Sequence, residues 1–331
     1  MLAFQYESPK EGLKLCRIPI PEPGPGSVQI RVKAAGLCHS DCHVINGHDG
    51  MLVKKPITLG HEASGIITAI GANVVEYRPG DRVAVSLLAY PLNMDVRGWA
   101  MAIGFGFDGG YAEYVVAPVI RLVRIPDGVP FSQAAVATDA MATAYHAVVV
   151  EAGVYPGATI GVVGIGGLGM QGLRFAALKG ATVYGIDIVD SKFARAKQFG
   201  ARGCFKTLKE AGDIAFDIIV DFVGAKETTR LALERVKEGG KVVLVGLAAG
   251  NVTISSTDLV ARSITLVGSL GASEADLKNV LELLSKKEIE PHMEEIPFAD
   301  IPAGLNALGM GKVQGRLWTD PSKLRKRSSQ L

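Results

Sequence analysis

The stretch Thr159-Ile160-Gly161-Val162-Val163-Gly164-Ile165-Gly166-Gly167-Leu168-Gly169 decides how this chain folds. Thr159–Val163 is apolar and ends on two valines, which predicts a buried strand. The hexapeptide after it has glycine at its first, third and sixth places, and a helical pattern, Leu168–Lys179, follows. Strand, tight turn and helix start in that order form the setting in which G-x-G-x-x-G cradles a dinucleotide. Gly164 permits the turn, and Gly166 lets backbone N–H groups approach a pyrophosphate at the positive end of the helix. Gly169 allows close helix–strand packing, with Gly167 and Leu168 completing the turn. About 20 residues on, Asp187 ends the next strand candidate, where a carboxylate accepts from a ribose 2′-hydroxyl and repels a 2′-phosphate. NAD(H) is therefore expected over NADP(H). The competing readings are a glycine-rich turn that binds nothing and an Asp187 that only caps a helix.

Outward from this turn the same grammar repeats. Strand candidates Thr182–Ile186, Phe216–Asp221, Lys241–Val245 and Ile264–Val267 alternate with helical patterns Lys192–Phe199, Lys226–Val236 and Glu274–Lys286. Apolar strands alternating with helices predict a doubly wound α/β unit whose parallel sheet is covered on both faces. Upstream, short β-type runs such as Val28–Val32, Ser64–Ile70 and Arg82–Val85, separated by glycine and proline, predict an antiparallel, barrel-like domain. After Lys287 the pattern turns irregular and is expected to return to that first domain. The predicted division is 1–145 with 287–331, and 146–286.

Composition limits the function classes. The 331 residues carry 35 basic and 33 acidic side chains, for a net charge of +2, so no bulk field attracts nucleic acid. No apolar run reaches the ~18 residues of a membrane span. Four cysteines, with no signal peptide read at the start, predict reduced thiols in a cytoplasmic protein rather than a disulfide framework. Glycine is in excess, at 40 of 331 residues or about 12% against a usual ~7%.

A second constellation lies upstream. Cys38-His39-Ser40-Asp41-Cys42-His43 packs thiol, imidazole, hydroxyl and carboxylate into six residues, and Gly60-His61-Glu62-Ala63-Ser64-Gly65 follows. A thiolate and an imidazole suit zinc, but a catalytic site needs three protein ligands and an open position.

Together these segments resemble one family. Gly60-His61-Glu62-x-x-Gly65-x5-Gly71-x-x-Val74, Gly36-x-Cys38-His39-Ser40-Asp41, Pro79-Gly80-Asp81-Arg82-Val83 and the dinucleotide turn are similar, in order, to the zinc-dependent medium-chain alcohol dehydrogenases. The resemblance implies a GroES-like β-rich catalytic domain beside a Rossmann domain, with the active site in the cleft between them. It implies hydride transfer between an alcohol, aldehyde or ketone and a nicotinamide cofactor. Cys38 and His61 match the first two catalytic zinc ligands. The family's usual third ligand, a cysteine, is replaced by Asp139 in Asp139-Ala140-Met141-Ala142-Thr143-Ala144-Tyr145. Carboxylate keeps the charge of thiolate, so one Zn²⁺ with Cys, His and Asp stays formally neutral. The alternative makes Asp139 only the N-cap of a helix Ala140–Val150.

The resemblance also implies that Ser40 takes the substrate proton and His43 ends the relay, that Asp41 orients a ligating imidazole, and that Glu62 is an acid beside the metal. Thr143 and Leu168 are implied near the nicotinamide, and His39 and Arg316 at the pyrophosphate. Lys192 and Gly246 complete the expected cofactor contacts. The segment Ser86 to Gly110 contains no cysteine, so the family's second, structural zinc is not expected. Cys16, Cys42 and Cys204 are expected to pack. Ile45–Pro56 and Leu87–Phe107, with Trp99, Phe105 and Phe107, are expected to line an apolar pocket. A dimer or tetramer is expected, with contact at the sheet edge near Ile264–Val267. The basic tail from Lys323 is expected to be a frayed terminus. Two rival functions remain: a zinc-independent reductase of an activated C=C or C=N bond, and a catalytically silent nucleotide binder.

Overall fold

The computed structural model describes residues 1–88 and 101–323. The described chain divides into two compact units, Met1–Ala142 with the segment from Ala272 on, and Thr143–Gly271. Thus Glu274–Ser285, which the sequence pattern attaches to the α/β run, belongs with the first unit.

In the first unit, β1 (Leu2–Tyr6), β2 (Leu13–Arg17) and β4 (Ile57–Thr58) form a small antiparallel sheet. A larger sheet is built on β3 (Ser27–Gly36), β5 (Glu62–Ile70), β6 (Arg82–Val85), β7 (Tyr114–Pro118) and β8 (Leu122–Arg124), with β15 (Met293–Glu295) and β16 (Arg316–Thr319) at one end. The period-2 pattern explains β3: Val28, Ile30, Val32 and Ala34 are buried while Arg31 points to solvent. Pairing is antiparallel except between β15 and β16.

Register in this sheet positions the site. Gly36 at the end of β3 faces Glu62 at the start of β5, so continuing each strand brings Cys38 and His61 together. Trp318 of β16 faces the same Gly36, and the Leu37 N–H donates to the Leu317 carbonyl at 2.9 Å. Arg316, the first residue of β16, therefore arrives beside Cys38. Helix α1 (His39–Ile45) starts directly after Cys38.

The segment holding Asp139 differs from the predicted helix. Helical backbone begins with α2 (Phe131–Val136), continues through a π-helical segment Ala137–Met141 and α3 (Ala142–Tyr145), and ends in a second π-helical segment, His146–Glu151. Asp139 lies inside this run, so it is not the N-cap of a helix starting at Ala140. The capping alternative is thereby excluded.

The second unit is a six-stranded parallel sheet. It comprises β9 (Thr159–Val163), β10 (Thr182–Ile186), β11 (Ala201–Phe205), β12 (Phe216–Asp221), β13 (Val236–Leu244) and β14 (Thr265–Gly268). The spatial order is β11-β10-β9-β12-β13-β14, the doubly wound arrangement whose order reverses at β9. Phe216, Ile219, Val242 and Val163 are at the centre of its core. β14 closes the sheet as an edge strand. Among the described residues, no helix is long and apolar enough to cross a membrane.

Candidate functional site

Cys38, His61 and Asp139 form a buried cluster in the first unit, their potential ligand atoms all within 4.8 Å of one another. Asp139 Oδ2 stands 3.4 Å from Cys38 Sγ and 3.5 Å from His61 Nε2. On the other side of the imidazole, His61 Nδ1 stands 3.4 Å from Asp41 Oδ1. One nitrogen of His61 thus faces the donor cluster and the other a carboxylate, the arrangement that fixes a ligating histidine. Asp41 is itself held, because its Oδ2 accepts from the Tyr111 hydroxyl at 2.8 Å and from the Cys38 N–H at 3.2 Å. Burial, with Asp41 beside it, pushes the Tyr111 hydroxyl well above its usual range, so Tyr111 acts as a donor.

This donor set fits a zinc ion. Soft thiolate, imidazole and carboxylate make a three-ligand set with room for a fourth position. Burial works against charge on the His61 ring, yet Asp41, Cys38 and Asp139 hold its proton affinity well above the ordinary value. The field that favours a proton there favours a cation among these donors.

Glu62 and Arg316 complete the cluster. Arg316 Nε donates to Glu62 Oε2 at 3.0 Å, and its Nη2 donates both to Glu62 Oε1 and, at 3.1 Å, to Asp139 Oδ2. Glu62 Oε1 also accepts the Ala140 N–H at 3.0 Å. The sequence placed Arg316 at a pyrophosphate; its described hydrogen bonds go to these two carboxylates. Phe105, expected in a pocket wall, stacks on the His61 ring with centroids 5.0 Å apart. Trp99 and the segment from Ala89 to Ala100 lie outside the described residues, as does the tail beyond Lys323.

The other residues of the Cys38–His43 segment fall on α1. Ser40 is half-buried, its Oγ 3.7 Å from Cys38 Sγ, while His39 and His43 are exposed. The Cys42 thiol is turned away, 3.3 Å from the Leu305 carbonyl, and burial pushes it up to about 12. Two residues of the cluster had no signal in the motifs: Tyr111, and Arg316 as a partner of carboxylates. The pair Gly109-Gly110 before Tyr111 was the one available hint, since a Cβ on Gly109 would stand 2.5 Å from the Gly60 carbonyl oxygen.

The second unit holds the dinucleotide turn. Gly164 has φ +81°, and a Cβ there would stand 2.4 Å from Val223 Cγ2; a Cβ on Gly169 would stand 1.9 Å from the Gly164 carbonyl oxygen. A Cβ on Gly166 would meet nothing within 4 Å, which leaves the helix start open to a ligand. Helix α4 (Gly167–Leu178) begins there, Gly167 and Leu168 in its first turn. This cradle fits a pyrophosphate. Asp187 follows β10 directly; its Oδ2 pairs with Lys192 Nζ at 2.8 Å and its Oδ1 accepts the Val189 N–H at 2.9 Å. Gly246 packs so close to Val223 that a Cβ would lie 2.1 Å from its carbonyl carbon. Thr143 is buried at the start of this unit.

Comparison with known proteins agrees with both halves. A model of the alcohol dehydrogenase GroES-like domain matches residues 24–127, and one of the zinc-binding dehydrogenases matches residues 167–286. The alcohol dehydrogenase of Geobacillus stearothermophilus is 30% identical over 336 residues, 96% of this chain and 98% of that protein. The chain belongs to the zinc-type medium-chain alcohol dehydrogenase family. Among solved structures of this family's fold, acetophenone reductase from Geotrichum candidum in complex with NAD is 32% identical with TM-score 0.85, covering 96% of each chain. The cobalt- and zinc-bound thermostable alcohol dehydrogenase from Pyrobaculum aerophilum is 30% identical with TM-score 0.86, covering 97% of this chain and 99% of that one. Membership makes this chain an oxidoreductase of the alcohol dehydrogenase type.

Proposed function

We propose that this family member is a zinc-dependent, NAD(H)-preferring dehydrogenase that interconverts a small alcohol with its aldehyde or ketone. The observation that carries the reading is the convergence of Cys38 Sγ, His61 Nε2 and Asp139 Oδ2 on one buried point. The NAD- and zinc-bound states of the two solved relatives support it. When bound, the two groups supply Lewis acidity toward an alcohol or carbonyl oxygen and an acceptor or donor of hydride.

The protein's own residues supply the rest. Cys38, His61 and Asp139 hold the ion, and Asp41 keeps the His61 ring oriented with Nε2 inward. Ser40 sits next to Cys38, where its hydroxyl relays the substrate proton, accepting it as it gives up its own. His43, three positions on along α1 and exposed, is the imidazole that delivers it to water. Phe105 covers one face of His61 and shields the site from water. In the second unit, the open Gly166 position and the N-terminus of α4 bind the pyrophosphate, and Asp187, paired with Lys192, meets the adenosine ribose. That carboxylate opposes a 2′-phosphate, which is the basis of the NAD(H) preference. The buried convergence of Cys38, His61 and Asp139 favours this reading over a zinc-independent reductase of an activated C=C or C=N bond.

Steady-state turnover of a panel of alcohols and ketones with NAD(H) and NADP(H), alongside metal analysis, tests the reading. About one zinc per chain is expected, and Cys38→Ser should lose both the zinc and at least about 100-fold of the activity. Active protein without zinc, or an unchanged Cys38→Ser, contradicts it.

A further inference from the structure

We infer that Glu62 and Arg316 form a clamp whose task is to position Asp139 as a metal ligand. The inference deepens the reading above and rests on Asp139 being a ligand.

A thiolate offers a metal one donor atom. A carboxylate offers two, and rotation about its Cβ–Cγ bond exchanges them, so an aspartate at the third place needs its plane held. Asp139 Oδ2 is the oxygen that faces both Cys38 Sγ and His61 Nε2, and it is this oxygen that Arg316 Nη2 holds at 3.1 Å. The guanidinium is in turn fixed by a two-point fork on Glu62, whose Oε1 also takes the N–H of Ala140, the residue after Asp139. Asp139 is therefore restrained twice, through its side chain by Arg316 and through its backbone by Glu62. A fork of this kind sets orientation as well as charge.

The pair is costly to keep for stability alone. Glu62 is fully buried and Arg316 is 3% exposed, and a buried ion pair gives little net stabilisation against apolar residues of the same volume. The fold also reserves its space: a Cβ on Gly36 would stand 1.8 Å from Glu62 Oε2. The backbone leading to Asp139 is π-helical over Ala137–Met141, a local irregularity that often accompanies functional sites. Glu62 and Arg316 are positioning residues; neither is required to carry a proton or touch substrate.

Arg316→Lys tests this because it keeps the charge and removes the fork. Zinc affinity of the full chain is measured by chelator competition without cofactor, together with the visible spectrum of the cobalt(II)-loaded protein. Arg316→Lys should bind zinc about 10- to 100-fold more weakly and shift the cobalt spectrum. Glu62→Gln should act in the same direction, and it decides the matter if the lysine variant does not fold. In an Asp139→Cys background, where no carboxylate plane needs holding, Arg316→Lys should change affinity by no more than about twofold. Unchanged affinity in both single variants overturns the clamp, and so does a loss of the same size whether or not Asp139→Cys is present. A wild-type chain that binds no zinc refutes the metal site itself, and the clamp with it.

Discussion

Gly60 precedes the proposed ligand His61 with φ +92°, and a Cβ there would stand 2.5 Å from the Tyr111 ring. Left-handed backbone costs a residue with a side chain about 1–2 kcal/mol, and forcing an atom into packed space costs about 1–3 more. Gly60→Ala should thus destabilise the protein by about 2–5 kcal/mol in urea unfolding; a change under 1 kcal/mol would contradict the packing described. The ring it would displace anchors Asp41. Tyr111→Phe removes that donor and should weaken zinc about tenfold by chelator competition while leaving the fold intact. At this scale Cys38 and His61 were legible, since each sits in a motif with its neighbours. Tyr111 was not, nor was the pairing of Arg316 with Glu62, the two contacts spanning 70 and 254 residues respectively. Only strand register brings such positions together, and nothing local in sequence encodes it.

Strand ends make the site: β3 runs out into Cys38, β5 starts just after His61, and β16 starts on Arg316. In the second unit, the strands Thr159–Val163, Thr182–Ile186 and Phe216–Asp221 lie where their apolar runs predict, because burial on both faces leaves an uninterrupted hydrophobic signature. The helix around Asp139 was misread at its start. It begins at Phe131 after Pro130, and its π-helical turns lie among alanines that carry no pattern distinguishing them from ordinary helix. Asp221, at the end of β12, shows how an element end supports the glycine turn. Its Oδ1 accepts the N–H groups of Val223 and Gly224, and its Oδ2 accepts the hydroxyls of Thr228 and Thr229. Val223 is the residue that packs on Gly164. Asp221→Ala strands these donors and should cost about 2–4 kcal/mol, with weaker NAD binding by fluorescence titration. Unaltered unfolding and NAD affinity would count against this role.

The whole chain pairs a β-rich unit that carries the donor cluster with a doubly wound unit that carries the dinucleotide turn. The glycine excess serves both: Gly36 and Gly60 make room at the cluster, Gly164 and Gly169 at the turn. Of the four cysteines, Cys38 alone belongs to the donor cluster, and Asp139 stands where a second thiolate is usual in the family. Linkage makes this visible in bulk: NAD at about 100 times its dissociation constant should stabilise the protein by about 2.7 kcal/mol, and zinc removal should lower the melting temperature. A melting temperature indifferent to both ligands would contradict two built sites. The proposed chemistry depends above all on Asp139 completing a zinc site. Anomalous diffraction at the zinc edge from crystals of the purified, active protein tests it most directly. A single peak bonded to Cys38 Sγ, His61 Nε2 and an Asp139 carboxylate oxygen is expected, at about 2.3, 2.0 and 2.0–2.2 Å. An active enzyme with no peak there, or a peak that Asp139 does not touch, would contradict it.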